Sequence, residues 1–193
     1  MAWENRFVDD EGNDCLTSVD CTDCKVSKIG GADFRSFKTH KFKEPGLRYE
    51  IALCIKTGCI VWVMGPFPCG DWPDINIFRY ALRQMLGPYE RVEADDGYRG
   101  EDPLNVKVPA SMVHDQRDVF LKMQSYVRRH DETVNKRIKQ FKLLSSVFRG
   151  DIEFHGTCFR AVAALTQMEI DNGAKLFDVE YSDDYFEVLS AYG

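Results

Sequence analysis

The hydrophobic positions in the first half of the chain form runs of strand character. β-branched and aromatic residues are concentrated at 16–26, 49–55 and 59–64, and two shorter runs follow at 90–94 and 105–108. A short polar turn separates the second run from the third, which predicts a β-hairpin. The GPFPCG stretch that follows contains two prolines without backbone donors, and we expect it to end the sheet.

Later stretches place apolar residues at helical spacing. The first spans residues 74–86 and the last spans 156–170. Between them, residues 118–148 carry one apolar helical face that is disturbed near His130 and Asp131. This middle stretch predicts either one long helix or two helices that meet there. The order of strands and helices predicts a mixed α/β fold with a central sheet covered by helices.

Length and composition indicate a single domain over residues 1–193. A chain of 193 residues, 44% of them hydrophobic, can bury one substantial core, and 176–193 is predicted to be an acidic C-terminal tail. No long apolar run and no signal-peptide pattern occurs, so we expect an intracellular protein, nuclear or cytoplasmic, without membrane contact. The seven cysteines are an odd number, which predicts mostly reduced thiols.

The net charge limits how this chain can meet nucleic acid. It is −6 at pH 7, whereas a protein whose whole surface grips DNA needs an excess of Lys and Arg for phosphate contacts. The dense basic stretches are confined to residues 37–48 and 128–142. Any contact with nucleic acid is therefore expected to be local.

Three carboxylates occupy positions from which a metal site can be built. Asp20 interrupts a strand-like run, Asp95 follows a predicted strand, and Glu132 lies among cations on the long predicted helix. Each has an ordinary alternative: a strand edge facing water, an acidic turn, and a solvated helix face with ion pairs. Together, carboxylates from three rigid elements supply the oxygen ligands that two divalent ions, about 4 Å apart, need to activate water at a phosphodiester.

Four consecutive blocks of the sequence carry a family resemblance. They are SVDCTDCKV, then THKFKEPGLRYEIALCIKTGCIVWVMGPFPCGDWPDINIFR, then RVEADDGYRGEDPLNVKVP, and last HDETVNKRIKQFKLLSSVFRG. In this order, over residues 13–182, they resemble the DDE superfamily endonuclease domain of PIF/Harbinger-like transposases.

The resemblance implies a ribonuclease-H-like fold, in which helices flank a central mixed sheet, and three catalytic residues that bind metal. Asp20 opens the family's Asp-Gly-Thr block, and Asp95 lies two residues before its Gly-Tyr pair. Glu132 precedes its Asn-x-Arg-x-Lys block. The implied cofactor is two ions of Mg²⁺ or Mn²⁺. The implied function is hydrolysis of DNA phosphodiesters by a two-metal mechanism, with strand transfer as a further step of a transposase.

DNA is the partner that the resemblance implies. The residues expected to contact it are Lys41, Lys43, Arg48, Arg128, Arg129, Asn135, Lys136, Arg137 and Lys139. Transposases of this kind carry an N-terminal DNA-binding region, which we expect to be absent here, so a separate DNA-binding partner protein and a homodimer are further expectations. An inactive or domesticated transposase-derived protein, acting as an interaction module, is the alternative.

The chain departs from the family pattern at several positions. Cys21 replaces the usual glycine, and Gly150 and Met64 stand where His and Asn are usual. Asp131 looks like an extra residue just before Glu132. Within a continuous helix, one inserted residue rotates everything upstream by about 100° relative to Glu132. A new helix that begins at Asp131, with that residue as its cap, would absorb the insertion.

Cysteine arrangements offer two further alternatives. Cys21 and Cys24 form a C-x-x-C, which suggests zinc binding or a redox pair, although no second pair completes a set of zinc ligands. His155 and Cys158 flank the last predicted helix, but no partner with motif context supports a cysteine nucleophile. Both alternatives are weaker than the carboxylate site.

Overall fold

The structure is a computed structural model that describes residues 1–7, 15–27, 31, 33–109 and 114–176. For residues 114–120 and Met123 only the backbone is described. The predicted acidic tail therefore lies, apart from Leu176, outside the described residues. Within the described part, no helix combines the length and the apolar character that crossing a membrane requires.

A five-stranded mixed sheet forms the centre of the described chain. Its strands are β1 (Cys15–Lys25), β2 (Gly46–Cys54), β3 (Ile60–Pro68), β4 (Arg91–Glu93) and β5 (Val106–Lys107). They lie in the order β3-β2-β1-β4-β5. The first three pair antiparallel, whereas β4 pairs parallel with both β1 and β5. The five predicted strands and the mixed α/β class are confirmed.

The GPFPCG stretch does end the sheet, as predicted, but only at its second proline. β3 continues through this stretch to Pro68, which lies opposite Leu47 of β2. Among the described strands β3 is at the edge of the sheet. Proline is tolerated there because the outward-facing side of an edge strand has no neighbouring strand that requires an N–H donor.

The α-helices of the described chain are α1 (Phe34–Phe37), α2 (Asp74–Tyr80), α3 (His114–Gln140), α4 (Lys142–Ser145) and α5 (Ile152–Asp171). Short 3-10 helices occupy Trp3–Arg6, Leu82–Met85 and Asp96–Glu101. The predicted helix over 74–86 is thus an α-helix that continues as a 3-10 turn. The last predicted helix is confirmed, and it starts four residues earlier than its apolar spacing indicated, at Ile152, with Asp151 as its cap residue.

The long helix α3 runs without interruption through Asp131. The alternative in which a new helix begins there, capped by Asp131, is therefore wrong. The side chain of Asp131 accepts a hydrogen bond from Ser18 on β1, so it is directed at the sheet and not at the backbone of its own helix. The helical chain breaks later, at Phe141, which precedes α4.

Two hydrophobic clusters cover the two faces of the sheet. On one face, Leu53 packs with Ile138 of α3 and Phe159 of α5. On the other face, the fully buried rings of Phe78 and Tyr98 meet edge to face, with centroids 5.9 Å apart. Each large apolar side chain that leaves water contributes about 1.5 to 3 kcal/mol. Packing in the first cluster holds α3 against the sheet. The resulting position of α3 determines which of its residues face β1.

Candidate metal centre

The register between β1 and β4 places two of the predicted carboxylates next to each other. Ser18 pairs with Glu93 in this parallel ladder. Asp20 and Asp95 each lie two residues further along their chains, and residues two apart on an extended chain point to the same face. Neighbouring strands are about 4.8 Å apart, so the two carboxylates lie side by side on the face that α3 covers.

A cavity of about 160 Å³ opens between this face of the sheet and α3. Its lining includes all three carboxylates predicted from the sequence. The lining residues are Ser18, Val19, Asp20, Glu93, Ala94, Asp95, Gln124, Arg128, Asp131 and Glu132. Five of the ten are acidic, so the cavity favours a cationic ligand.

Asp20 is half-buried in the middle of β1 and is held at both carboxylate oxygens. One oxygen accepts a hydrogen bond of 2.7 Å from the backbone N–H of Cys21, and the other accepts one of 3.3 Å from the amide of Asn135 on α3. Burial raises the pKa of Asp20, and the negative charges of Asp95 and Asp74 add to this effect. The positive charge of Lys41 and the Cys21 hydrogen bond oppose it.

Asp95 lies where β4 gives way to the 3-10 helix Asp96–Glu101. Its side chain caps that helix by accepting a hydrogen bond of 2.9 Å from the N–H of Gly97. Its second oxygen lies 3.8 Å from a guanidinium nitrogen of Arg128. The position predicted from the strand ending is therefore rigid, and it remains open towards the cavity.

Two successive acidic residues of α3, Asp131 and Glu132, line the cavity in different ways. Asp131 is only 9% exposed and accepts a hydrogen bond of 2.9 Å from the Ser18 hydroxyl. Burial raises the pKa of its carboxyl well above the usual value, and the charge of Asp20 adds to that, while the Ser18 hydrogen bond opposes it. Glu132 is exposed at the cavity rim.

Sequence reasoning did not propose Glu93, Asp131 or Asp74 for this site. Glu93 is buried and lines the cavity, and Asp131 was considered only as an inserted residue. Asp74, the first residue of α2, lies close enough for its charge to raise the pKa of Asp20. Helical spacing is the sequence signal that could have identified Asp131. Gln124, Asp131 and Asn135 fall on one face of the helix.

The predicted basic residues divide into those near the carboxylates and those distant from the cavity. The ammonium group of Lys41 donates a hydrogen bond of 3.1 Å to the carbonyl of Cys21, beside Asp20, and Arg128 lines the cavity. Arg137 donates to the carbonyl of Ala174. Four further predicted residues lie outside the cavity lining and are exposed or half-buried: Lys43, Arg129, Lys136 and Lys139.

Arg48, the remaining predicted DNA contact, is buried within the fold. Its guanidinium bonds both carboxylate oxygens of Asp23, at 2.8 and 3.0 Å, and lies 2.7 Å from Asp74. Thr39 donates a further hydrogen bond to Asp23. Burial opposes ionisation of Asp23, but the bonds and charge of Arg48 outweigh it and the pKa of Asp23 is lowered. The positive charge of Arg48 therefore compensates carboxylates inside the protein.

The side chains around the cavity suit a hard divalent cation. They offer carboxylate oxygens, which Mg²⁺ and Mn²⁺ prefer over sulfur or imidazole. Beside Asp20, the side-chain oxygen of Asn135 is buried and has no hydrogen-bond partner among the described residues. In the described part of the chain, no three His, Cys, Asp or Glu side chains lie close enough together to hold an ion as they stand. The carboxylate and amide oxygens at the cavity and beside Asp20 are therefore of the type that a divalent cation prefers.

The cysteine alternatives are not supported by the geometry. The seven cysteines are all free thiols. Cys21 and Cys24 are three residues apart on β1, so their side chains point to opposite faces of the sheet. His155 is buried and its ring nitrogen lies 2.6 Å from the hydroxyl of Tyr49, and burial lowers its pKa to about 4. His155 therefore belongs to the core, where its ring packs against those of Tyr49 and Phe148.

Comparison with known proteins identifies one family. The sequence model described as DDE superfamily endonuclease matches residues 16–167, which is well over half of the chain. No curated protein and no solved structure matches the chain.

Proposed function

This chain belongs to the DDE superfamily endonuclease family, and we propose that it is a divalent-metal-dependent DNA endonuclease of the transposase type. One observation supports this proposal above the others: Asp20 and Asp95, from adjacent parallel strands, line the same cavity as the acidic residues of α3. The strand order with β1 at the centre is consistent with a ribonuclease-H-like fold, which we propose as the finer description.

The proposed cofactor is Mg²⁺ or Mn²⁺, as two ions. When bound, such ions activate water and stabilise the charge that develops on a phosphodiester. Asp20 and Asp95 would hold them, together with a carboxylate of α3. The Asn135 amide and the Cys21 N–H keep the Asp20 carboxylate in one orientation, so little reorganisation is needed when a cation arrives.

The proposed substrate is DNA, held locally. Lys41 and Arg128 are the cations next to the carboxylates, and we assign them the phosphate groups that flank the cleaved bond. The exposed side chains of Arg129 and Lys136 on α3 extend this contact, together with Lys43 in the loop that precedes β2. A PIF/Harbinger type, a separate DNA-binding partner and a homodimer belong to the same proposal and rest on the sequence resemblance.

Plasmid nicking tests the proposal. Supercoiled plasmid is incubated with the protein in Mg²⁺, in Mn²⁺ or with a chelator, and open circles are counted. We expect metal-dependent nicking that falls by at least about a hundredfold in Asp20→Asn and Asp95→Asn, because several kcal/mol of charge stabilisation are lost. Asp96→Asn is the matched control, since it removes an equal charge from an exposed neighbour outside the cavity lining. Nicking that persists in both variants would reject the proposal.

A second candidate function is that of an inactive, transposase-derived interaction module. The observation that favours it is the exposure of Glu132, the residue that the family pattern makes catalytic. Titration of Mn²⁺ into the whole protein separates the two functions. An interaction module would take up no more Mn²⁺ than Asp20→Asn protein does, whereas the proposed endonuclease would bind measurably more.

A further inference from the structure

We infer that Asp131, and not its neighbour Glu132, is the carboxylate of α3 that binds a divalent cation together with Asp20. The inference rests on the proposed function, because it assigns a ligand within the proposed metal centre. It goes beyond that function, since the family pattern places the third carboxylate at Glu132.

The register of α3 on β1 directs Asp131 at the strand. Ser18 of β1 bonds Asp131, and Asp20 of β1 bonds Asn135. Four residues of a helix rise about 6 Å, and two residues of a strand advance about 6.6 Å. The spacing of the two hydrogen bonds along α3 therefore matches their spacing along β1. The helix thus runs alongside the strand, with Asp131 and Asn135 both directed at it.

Glu132 points in a different direction around the helix from Asp131. Successive helical residues are rotated by about 100°, so Asn135 lies only about 40° from Asp131. Gln124 points the same way and donates a hydrogen bond of 2.9 Å to the carbonyl of Ala94 on the sheet side. Glu132 lies about 60° beyond Asn135. It is therefore at the edge of the face that contacts the sheet, in agreement with its exposure.

The surroundings of the buried Asp131 carboxylate favour a cation. A buried carboxylate is costly unless hydrogen bonds or a cation compensate its charge. Asp131 has the Ser18 hydroxyl on one oxygen, and the neighbouring acidic groups Asp20 and Glu93 repel its charge. Arg128 is the cation that opposes this repulsion, but it is half-exposed and also lies near Asp95. A cation in the cavity would compensate all of these carboxylates at once.

The side-chain oxygen of Asn135 offers a further ligand beside Asp20. Its amide nitrogen bonds Asp20, while its oxygen is buried without a hydrogen-bond partner among the described residues. Amide oxygens are accepted ligands of hard cations. Asp131 and Asn135 are one turn apart on the same face of α3, so they approach the neighbourhood of Asp20 from the same side.

Mn²⁺ binding by the whole protein, measured by isothermal titration, tests the inference with a matched pair of variants. Asp131→Asn keeps the size of the side chain and an acceptor for Ser18, and Glu132→Gln removes an equal charge one residue away. We expect Asp131→Asn to weaken Mn²⁺ binding by more than about tenfold, the scale seen when metal-site residues are changed. Glu132→Gln should stay within about threefold of the parent protein.

Ser18→Ala is a second variant that protects the test against misfolding of Asp131→Asn. It leaves every carboxylate in place but frees Asp131 from its hydrogen bond. We expect weaker Mn²⁺ binding by about threefold or more, because an unoriented ligand binds metal less well. A purely structural role of Asp131 would instead change the unfolding midpoint of Ser18→Ala and leave its Mn²⁺ affinity unchanged, which would overturn the inference.

The outcomes distinguish the inference from the function on which it rests. Loss of Mn²⁺ binding in Glu132→Gln with retention in Asp131→Asn overturns the inference and leaves the endonuclease proposal standing. Equal effects in the two variants also overturn it, since the inference assigns the ligand to Asp131 alone. If the parent protein binds no more Mn²⁺ than Asp20→Asn protein, the proposed metal centre itself fails.

Discussion

The guanidinium of Arg48 on β2 lies 2.8 Å from the carboxylate of Asp23 on β1, and both side chains are more than nine-tenths buried. The pair crosses the two central strands, where Asp23 and Arg48 are also opposite each other in the ladder. This ion pair explains why Arg48, although it belongs to the basic stretch 37–48, does not face solvent. Arg48 in turn holds Asp74 at the start of α2, next to the candidate site.

Removing one member of this pair should destabilise the protein. We expect Asp23→Asn to lower the free energy of unfolding by about 2 to 4 kcal/mol, because among the described residues it leaves the buried guanidinium with Asp74 as its one carboxylate partner. Urea denaturation at pH 7 measures the effect. The control is Glu44→Gln, which breaks the exposed Lys25–Glu44 pair and should cost less than about 1 kcal/mol. Equal losses in both variants would contradict the assignment of Asp23 as a structural anchor.

The cysteine in place of the usual glycine should be neutral for nicking. Cys21 is buried and its sulfur lies 3.3 Å from the hydroxyl of Tyr98, on the face of the sheet opposite the cavity. Its β-carbon therefore does not intrude on the site. We expect Cys21→Gly to lose about 1 to 2 kcal/mol of stability through lost packing and strand flexibility, with nicking within about twofold of the parent.

Cys21→Ala separates the contributions to this effect. It keeps the β-carbon and removes only the sulfur, so its stability should lie between those of the parent and Cys21→Gly, by urea denaturation. A marked gain of nicking in Cys21→Gly alone would indicate that the β-carbon does obstruct the site after all.

The stability of the fold should fall as pH rises through the neutral range, because of Glu50. This residue of β2 is fully buried, and one of its oxygens accepts a hydrogen bond of 3.2 Å from the Trp62 indole. Burial raises its pKa from 4.5 to about 8, with the Trp62 bond opposing this and the charge of Asp74 adding to it. Between these values the folded chain binds more protons than the unfolded chain, so stability is lost as pH rises.

Glu50→Gln should remove this pH dependence. The amide is neutral at every pH and its oxygen can still accept the Trp62 bond, so the variant should be more stable than the parent at pH 8 by about 2 to 4 kcal/mol. One pKa unit corresponds to about 1.4 kcal/mol. At pH 5 the two should be nearly equal. Urea denaturation at three pH values measures the difference, with Glu44→Gln as the exposed control, and a difference that shrinks towards pH 8 would refute the role of Glu50.

The elements of the fold were accessible from the sequence because their signals are local. Alternating and helical periods of hydrophobic residues predicted the five strands and the helices α2, α3 and α5 near their observed positions, whereas the single-turn helix α1 was not predicted. The other differences arose where tertiary context overrides a local rule. The prolines of β3 are accepted because that strand is at the edge of the sheet, and the disturbance at Asp131 does not break α3 because the residue finds a partner on β1.

The sequence by itself determined the family of the protein, because the ordered blocks around Asp20, Asp95 and Glu132 and the match over residues 16–167 indicate the DDE superfamily endonuclease. Only the tertiary structure decided how the acidic residues are arranged. Asp20 and Asp95 meet because β1 and β4 pair in parallel with Ser18 opposite Glu93, and this register depends on chain segments far apart in sequence. The rotation of α3, which buries Asp131 and exposes Glu132, depends on how its apolar face packs on the sheet, and a one-residue change in spacing turns it by about 100°.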